Sequence, residues 1–204
     1  MASFEVSGGY SLQGNIRPQG AKNEALQVIC ASLLTDQEVI IENIPDIIDV
    51  NLLMQLLAES GVRVERIADG TYLFCARDID PDFTLSANFA QKVSRLRGSV
   101  MVMAPLLLRF KKVMLPRPGG DKIGRRRLDT HFLGLSKLGA SFQYDSAQAC
   151  YHIECNKLQG NDILLEEASV TGTANLIMAA CMASGPTRIY TAAHFPYCVI
   201  MATF

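Results

Sequence analysis

The chain has 204 residues, 49% of them hydrophobic and 19% charged, and its 19 basic and 20 acidic side chains leave a formal charge of −1. That much apolar content excludes a disordered chain, and the balanced charge gives no bulk attraction to nucleic acid or acidic membrane. No apolar run approaches the ~20 residues of a membrane span, and the opening MASFEVSGG lacks the basic-then-apolar plan of a signal peptide. The expectation is therefore a cytoplasmic protein with no nucleic-acid and no membrane partner.

In chain order, residues 8–18 (GGYSLQGNIRP) read as a strand that leads into an apolar helical run, NEALQVICASLL. A β-rich stretch around Val39 and a Pro-containing turn follow. Leu52, Leu53, Leu56 and Leu57 then keep helical spacing, and Gly61 ends that helix in the manner of a C-terminal cap. VRVERI and TYLFCA are two short strands joined by Asp69 and Gly70, a hairpin turn signal. The same grammar then repeats. DFTLSANF (residues 82–89) reads as the next leading strand, SRLRGSVMVMAPLLLRF as a helix, and the stretch around Val113 as a strand. A helix with Phe132, Leu135 and Leu138 on its apolar face is capped by Gly139, and the strands ASFQYD and CYHIEC close the unit. A third round starts with DILLEEAS, the helical run TGTANLIMAACMAS and a strand at Arg188.

Aligning Val39, Val113 and Arg188 gives a period of about 75 residues, the size of a supersecondary module rather than a solenoid repeat. The fold class is α/β, built of βαβαββ units covering about 22–80, 81–156 and 157–193. The third unit is expected to lack its second helix and final hairpin, because residues 194–204 end in the uncharged YCVIMATF, where an amphipathic helix should show a polar face. Six scattered cysteines, mostly in apolar runs, read as buried reduced thiols. Cys150 and Cys155 flank His152, but an odd separation along a strand sends the two sulfurs to opposite faces, so no metal site is assigned.

Four places carry chemistry. In QGAKN, Lys22 and Asn23 stand at the start of the first helix, where free N–H groups and the helix dipole favour an anion. Arg95 and Arg97 open the equivalent helix of the second unit, and Ser169, Val170 and Thr171 open that of the third. The segment RPGGDKIGRRRLDTHF holds Asp121 after a Gly pair, then Arg125, Arg126 and Arg127, which repel one another unless an anion or acids neutralise them. Leu128, Asp129, Thr130 and His131 follow. Read alone, these are also compatible with a surface Lys beside a cap, a Ser/Thr helix cap, a solvated basic loop, a packed His, and Asp129 capping its helix.

Taken together, GGYSLQGNIRPQGAKNEAL, LRGSVMVMAPLLLRF, GGDKIGRRRLDTHFLGLSKLGA and EEASVTGTANLIMAA resemble the enolpyruvyl transferase family over about residues 8–193. GAKNEAL fits the branch acting on UDP-N-acetylglucosamine better than the sister branch acting on shikimate 3-phosphate. The resemblance implies one lobe of a two-lobed inverse α/β barrel, with residues 1–21 belonging to the other lobe and residues 22–193 forming this one. It implies a cytoplasmic transferase of peptidoglycan synthesis, and so of cell-wall biogenesis, cell shape and division. The substrates would be UDP-N-acetylglucosamine and phosphoenolpyruvate, with no cofactor and no metal. Lys22 and Asn23 would hold phosphoenolpyruvate, and Arg97 and Arg126 would bind anionic oxygens. Arg126, Arg127, Leu128, Asp129, Thr130, His131, Ser169 and Val170 would line the nucleotide site.

Asp121 stands where most members carry the Cys that protonates the substrate. The resemblance implies that it is the general acid and that the protein resists fosfomycin, which alkylates that Cys. An acid in this role needs a raised pKa, whereas Lys122 and Arg125 push it down, so bound anions must offset them. The missing second lobe, or self-association, is the remaining partner expectation.

Overall fold

The structure, a computed structural model, describes residues 3–117 and 127–203. The two hairpin-closed units are built alike. In the first, α1 (Lys22–Ala31), β1 (Glu38–Ile41), α2 (Ile48–Glu59), β2 (Arg63–Ala68) and β3 (Thr71–Cys75) follow in order. The three strands form an antiparallel sheet with β3 central, Phe74 standing opposite both Val39 and Val64. In the second, α3 (Ala87–Val93), α4 (Met103–Phe110), β4 (Lys112–Pro116), α5 (Asp129–Lys137), β5 (Ser141–Asp145) and β6 (Cys150–Glu154) give a sheet with β6 central. Ile153 there faces both Val113 and Phe142. The third unit has β7 (Asp162–Leu164), α6 (Val170–Cys181) and β8 (Arg188–Tyr190), with β7 and β8 paired in parallel. The expected strand positions at Val39, Val113 and Arg188 are all strands. Gly61 and Gly139 each follow a helix end with φ of +97° and +108°, a left-handed conformation that glycine adopts without strain.

Three sequence expectations are corrected. Residues 82–89 are not a strand: Phe83–Leu85 is a 3-10 turn, and α3 starts at Ala87 with the Ser86 hydroxyl accepting from the Phe89 N–H at 3.0 Å. Phe83 and Phe89 stack edge to face, so aromatic content that suggests a strand serves a helix contact instead. Residues 8–18 form no regular element and are exposed throughout. The second helix of the third unit is present, as α7 (Pro196–Thr203), packed on α1 and α6 with Cys198 and Met201 buried.

The repeat explains where the core sits. One apolar helix of each unit, α1, α4 and α6, is buried along most of its length, as a run without a polar face must be. α1 buries every residue from Ala25 to Ala31, and the 3-10 turn Arg97–Val102 runs into α4 with Gly98 through Leu107 buried. α6 buries seven residues between Gly172 and Ala179. These helices pack on one another, and the sheets lie outside. A Cβ on Gly98 would sit 3.0 Å from the Leu26 side chain, so the missing side chain sets the approach of the first two units. Arg109 fastens them again, with Nη1 donating to Leu33 O at 3.2 Å and Nη2 to Asp36 Oδ1 at 2.6 Å and Ala76 O at 2.9 Å. The cysteines are free; Cys181 is exposed, against expectation, whereas Cys30, Cys150, Cys155 and Cys198 are buried.

Candidate substrate site at the helix starts

The starts of α5 and α6 lie side by side. A Cβ on Gly172 would come within 2.9 Å of Thr130 Cγ2, so the first turns touch through the space that this glycine leaves. Ser169 caps α6, its hydroxyl accepting from the Gly172 N–H at 3.2 Å. The N–H groups of Val170 and Thr171 are left without partners inside the helix, as in any first turn. Asp129 does not cap α5. It is the first helical residue after Leu128, and its carboxylate pairs with Arg127 Nε. That pairing holds the Arg127 guanidinium above its ordinary range. Thr130, nearly buried, donates to Glu167 Oε1 at 3.4 Å. Arg127, Asp129, Thr130, Glu166 and Glu167 line an open pocket of about 130 Å³.

Arg97 joins this group from the second unit. Its Nη2 donates to Arg127 O at 3.2 Å, tying the start of the 3-10 turn to the lead-in of α5. Beneath them lies a polar core. His131 is 1% exposed, and both ring nitrogens are engaged, Nδ1 with Asn175 Nδ2 at 2.8 Å and Nε2 with Thr171 Oγ1 at 3.1 Å. Burial, then the Arg97 charge, pushes its pKa down to about 3. His131, expected to line the nucleotide site, is thus a neutral, buried ring one layer below the surface. Asn175, fully buried, also donates to Val100 O at 3.1 Å and accepts from the Ala104 N–H at 3.3 Å.

Lys22 and Asn23 open α1, whose N-terminus has no side-chain cap. Lys22 Nζ meets Asp49 Oδ2 at 2.8 Å, with both side chains about 40% exposed (43% and 38%). An ion pair so open to water is worth only ~0–1 kcal/mol, little obstacle to an incoming anion. Gly20 fixes the approach to this helix: a Cβ there would fall 1.9 Å from Asn43 O. Asp121, Arg125 and Arg126 lie outside the described residues. The described residues hold no group of three His, Cys, Asp or Glu side chains placed to bind a metal ion, and no helix long and apolar enough to cross a membrane.

Of the described residues, the family resemblance singled out Lys22, Asn23, Arg97, Arg127, Leu128, Asp129, Thr130, His131, Ser169 and Val170. The structure gathers all of these except Lys22 and Asn23 at the α5–α6 joint. Reading the sequence alone missed Asn175, Glu166 and Glu167. An Asn inside the apolar run TANLIMAA was the available signal, because a buried amide needs partners.

The sequence profile of the EPSP synthase (3-phosphoshikimate 1-carboxyvinyltransferase) family matches residues 6–204. The UDP-N-acetylglucosamine 1-carboxyvinyltransferase of Bacteroides thetaiotaomicron is 56% identical over 197 residues, 97% of this chain and 45% of that protein. The protein of the same name from Porphyromonas gingivalis is 53% identical, with the same coverage of each chain. Among solved structures, the enolpyruvyl transferase NikO of Streptomyces tendae superposes with a TM-score of 0.76 at 21% identity, over 96% of this chain and 45% of that one. EPSP synthase of Acinetobacter baumannii gives 0.61 at 14% identity, over 91% and 42%. The chain spans less than half the length of these relatives.

Proposed function

Because the chain belongs to the EPSP synthase family of enolpyruvyl transferases, we propose that it is the sugar-nucleotide lobe of a cytoplasmic enzyme that transfers the enolpyruvyl group of phosphoenolpyruvate to UDP-N-acetylglucosamine. The high identity to relatives of that name supports this substrate over shikimate 3-phosphate. The observation that carries the reading is the α5–α6 joint, where anion-seeking and hydroxyl-seeking groups stand together.

The carboxylates of Asp129, Glu166 and Glu167 around the pocket suit the donors of a nucleoside, its ribose hydroxyls and uracil N–H. The first-turn N–H groups of α6 and the Arg97 guanidinium suit phosphate oxygens. Lys22 and Asn23, at the uncapped start of α1, are proposed to receive phosphoenolpyruvate, and Arg126 to contact both anions. In the reaction the sugar 3-hydroxyl gives up its proton and adds to C2 while C3 gains a proton; phosphate then leaves C2 as C3 loses a proton, which restores the double bond. Asp121 is proposed as the donor of the proton that C3 gains. Two anionic substrates brought together need fixed cations already in place, which lowers the barrier by orientation and electrostatics.

Calorimetric titration of the purified chain with UDP-N-acetylglucosamine tests the proposal. Saturable binding is expected, with uridine monophosphate competing and shikimate 3-phosphate not. No heat at millimolar ligand, or preference for shikimate 3-phosphate, would overturn it.

A further inference from the structure

The amide of Asn175 is oriented by its backbone partners. Its Oδ1 accepts from the Ala104 N–H at 3.3 Å, and its Nδ2 donates to Val100 O at 3.1 Å. The reverse orientation would set two donors against each other at Ala104 and two acceptors at Val100. The second proton on Nδ2 therefore points to His131 Nδ1, 2.8 Å away, and makes that nitrogen an acceptor. A neutral imidazole that accepts at Nδ1 carries its proton on Nε2. That proton goes to Thr171 Oγ1 at 3.1 Å. The Thr171 hydroxyl, once it accepts from His131, keeps its own proton for another acceptor. It sits half-buried at the start of α6, two residues after the Ser169 cap and beside the first turn of α5.

We propose that Asn175, acting through His131, is a positioning residue that sets the Thr171 hydroxyl as a hydrogen-bond donor to the bound nucleotide, a contact beyond those assigned to Ser169 and Val170. The claim rests on the nucleotide site proposed above. It also gives the Asn175–His131–Thr171 network a function besides packing. Asn175 binds the second unit at Val100 and Ala104 and the α5 ring at His131, so it fixes the places of three helix starts with one side chain.

Two measurements test this separately. Nitrogen-15 NMR of histidine-labelled chain, with the ring assigned by its loss in His131→Gln, is expected to show His131 protonated on Nε2 only at neutral pH. Replacing Asn175 by Asp removes the donor facing Nδ1 and is expected to move the proton to Nδ1. Thr171 must then donate to the ring instead of to a ligand. Thr171→Val, which keeps the side-chain shape, is expected to weaken UDP-N-acetylglucosamine binding by about tenfold, the usual cost of one lost hydrogen bond, and Thr171→Ser to restore it. Asn175→Asp is expected to match Thr171→Val in affinity although Thr171 is intact. An Nδ1-protonated ring in the unaltered chain overturns the relay. Unchanged affinity in Thr171→Val overturns the ligand contact. Failure of the unaltered chain to bind any uridine nucleotide overturns the site itself, while the tautomer still reports on the relay.

Discussion

His131 costs the fold stability in acid. Its ring is neutral when folded, with a pKa of about 3, whereas in the unfolded chain it titrates near the ordinary 6.5. Between those values the unfolded state binds the extra proton, so stability is complete above about pH 6.5 and falls as pH drops towards 3. The slope approaches about 1.4 kcal/mol per pH unit. Urea unfolding midpoints taken across that window should therefore fall more steeply for the unaltered chain than for His131→Asn, which has no proton to gain. Equal slopes would show that water reaches the ring. Carboxylates titrate in the same window, and the difference between the two proteins removes them. Glu59, held below its ordinary range chiefly by the Lys92 hydrogen bond, is common to both proteins and drops out of that difference.

The α5–α6 contact depends on what two glycines lack. A Cβ on Gly172 would meet Thr130 Cγ2 at 2.9 Å and the Ser169 hydroxyl at 3.0 Å, and one on Gly134 would lie 2.5 Å from Leu176 Cδ1. Gly172→Ala is expected to cost about 1–3 kcal/mol, the range for overpacking a filled interior, because both neighbours are short side chains with little room to turn. Ser169→Ala removes only the cap and should cost about 1 kcal/mol. Thermal melts of the two variants check the order, and a Gly172→Ala protein as stable as the parent would mean that the helices part easily. How far such elements were legible in the sequence follows from the range of the forces that form them. The Asp69–Gly70 hairpin turn and the glycines after α2 and α5 are local signals, and they stand where the spacing put them. The segment 82–89 misled because Phe83 and Phe89 suit either a strand or a helix, and only their contact with each other decides. At the site, charges and caps were legible, but the Asn175 network joins residues 71 to 75 apart in sequence to the same amide, a distance no motif spans.

At the scale of the whole molecule, the third unit and the N-terminal segment show how neighbours decide what a sequence becomes. The segment ending in Thr203 was expected to break the repeat because it has no polar face. Its position against α1 and α6 buries Cys198 and Met201 and leaves Val199 exposed, so an apolar segment completes a helix there. The opposite holds before α1. Phe4, Val6, Tyr10, Leu12 and Ile16 alternate as in a strand with one apolar face, yet each is at least 79% exposed. We propose that this segment becomes a strand by pairing in a second lobe outside residues 1–204. A segment that buries nothing contributes no hydrophobic stability, and the backbone first closes on the lobe at Gly20, against Asn43. A chain beginning at Pro18 should therefore melt within about 2–4 °C of the full chain, the shift that 1 kcal/mol produces at this size. It should also scatter less light at high concentration, since an unpaired apolar strand invites association. A much lower melting point in the shortened chain would mean that residues 3–17 pack on this lobe after all, and the strand would then belong here.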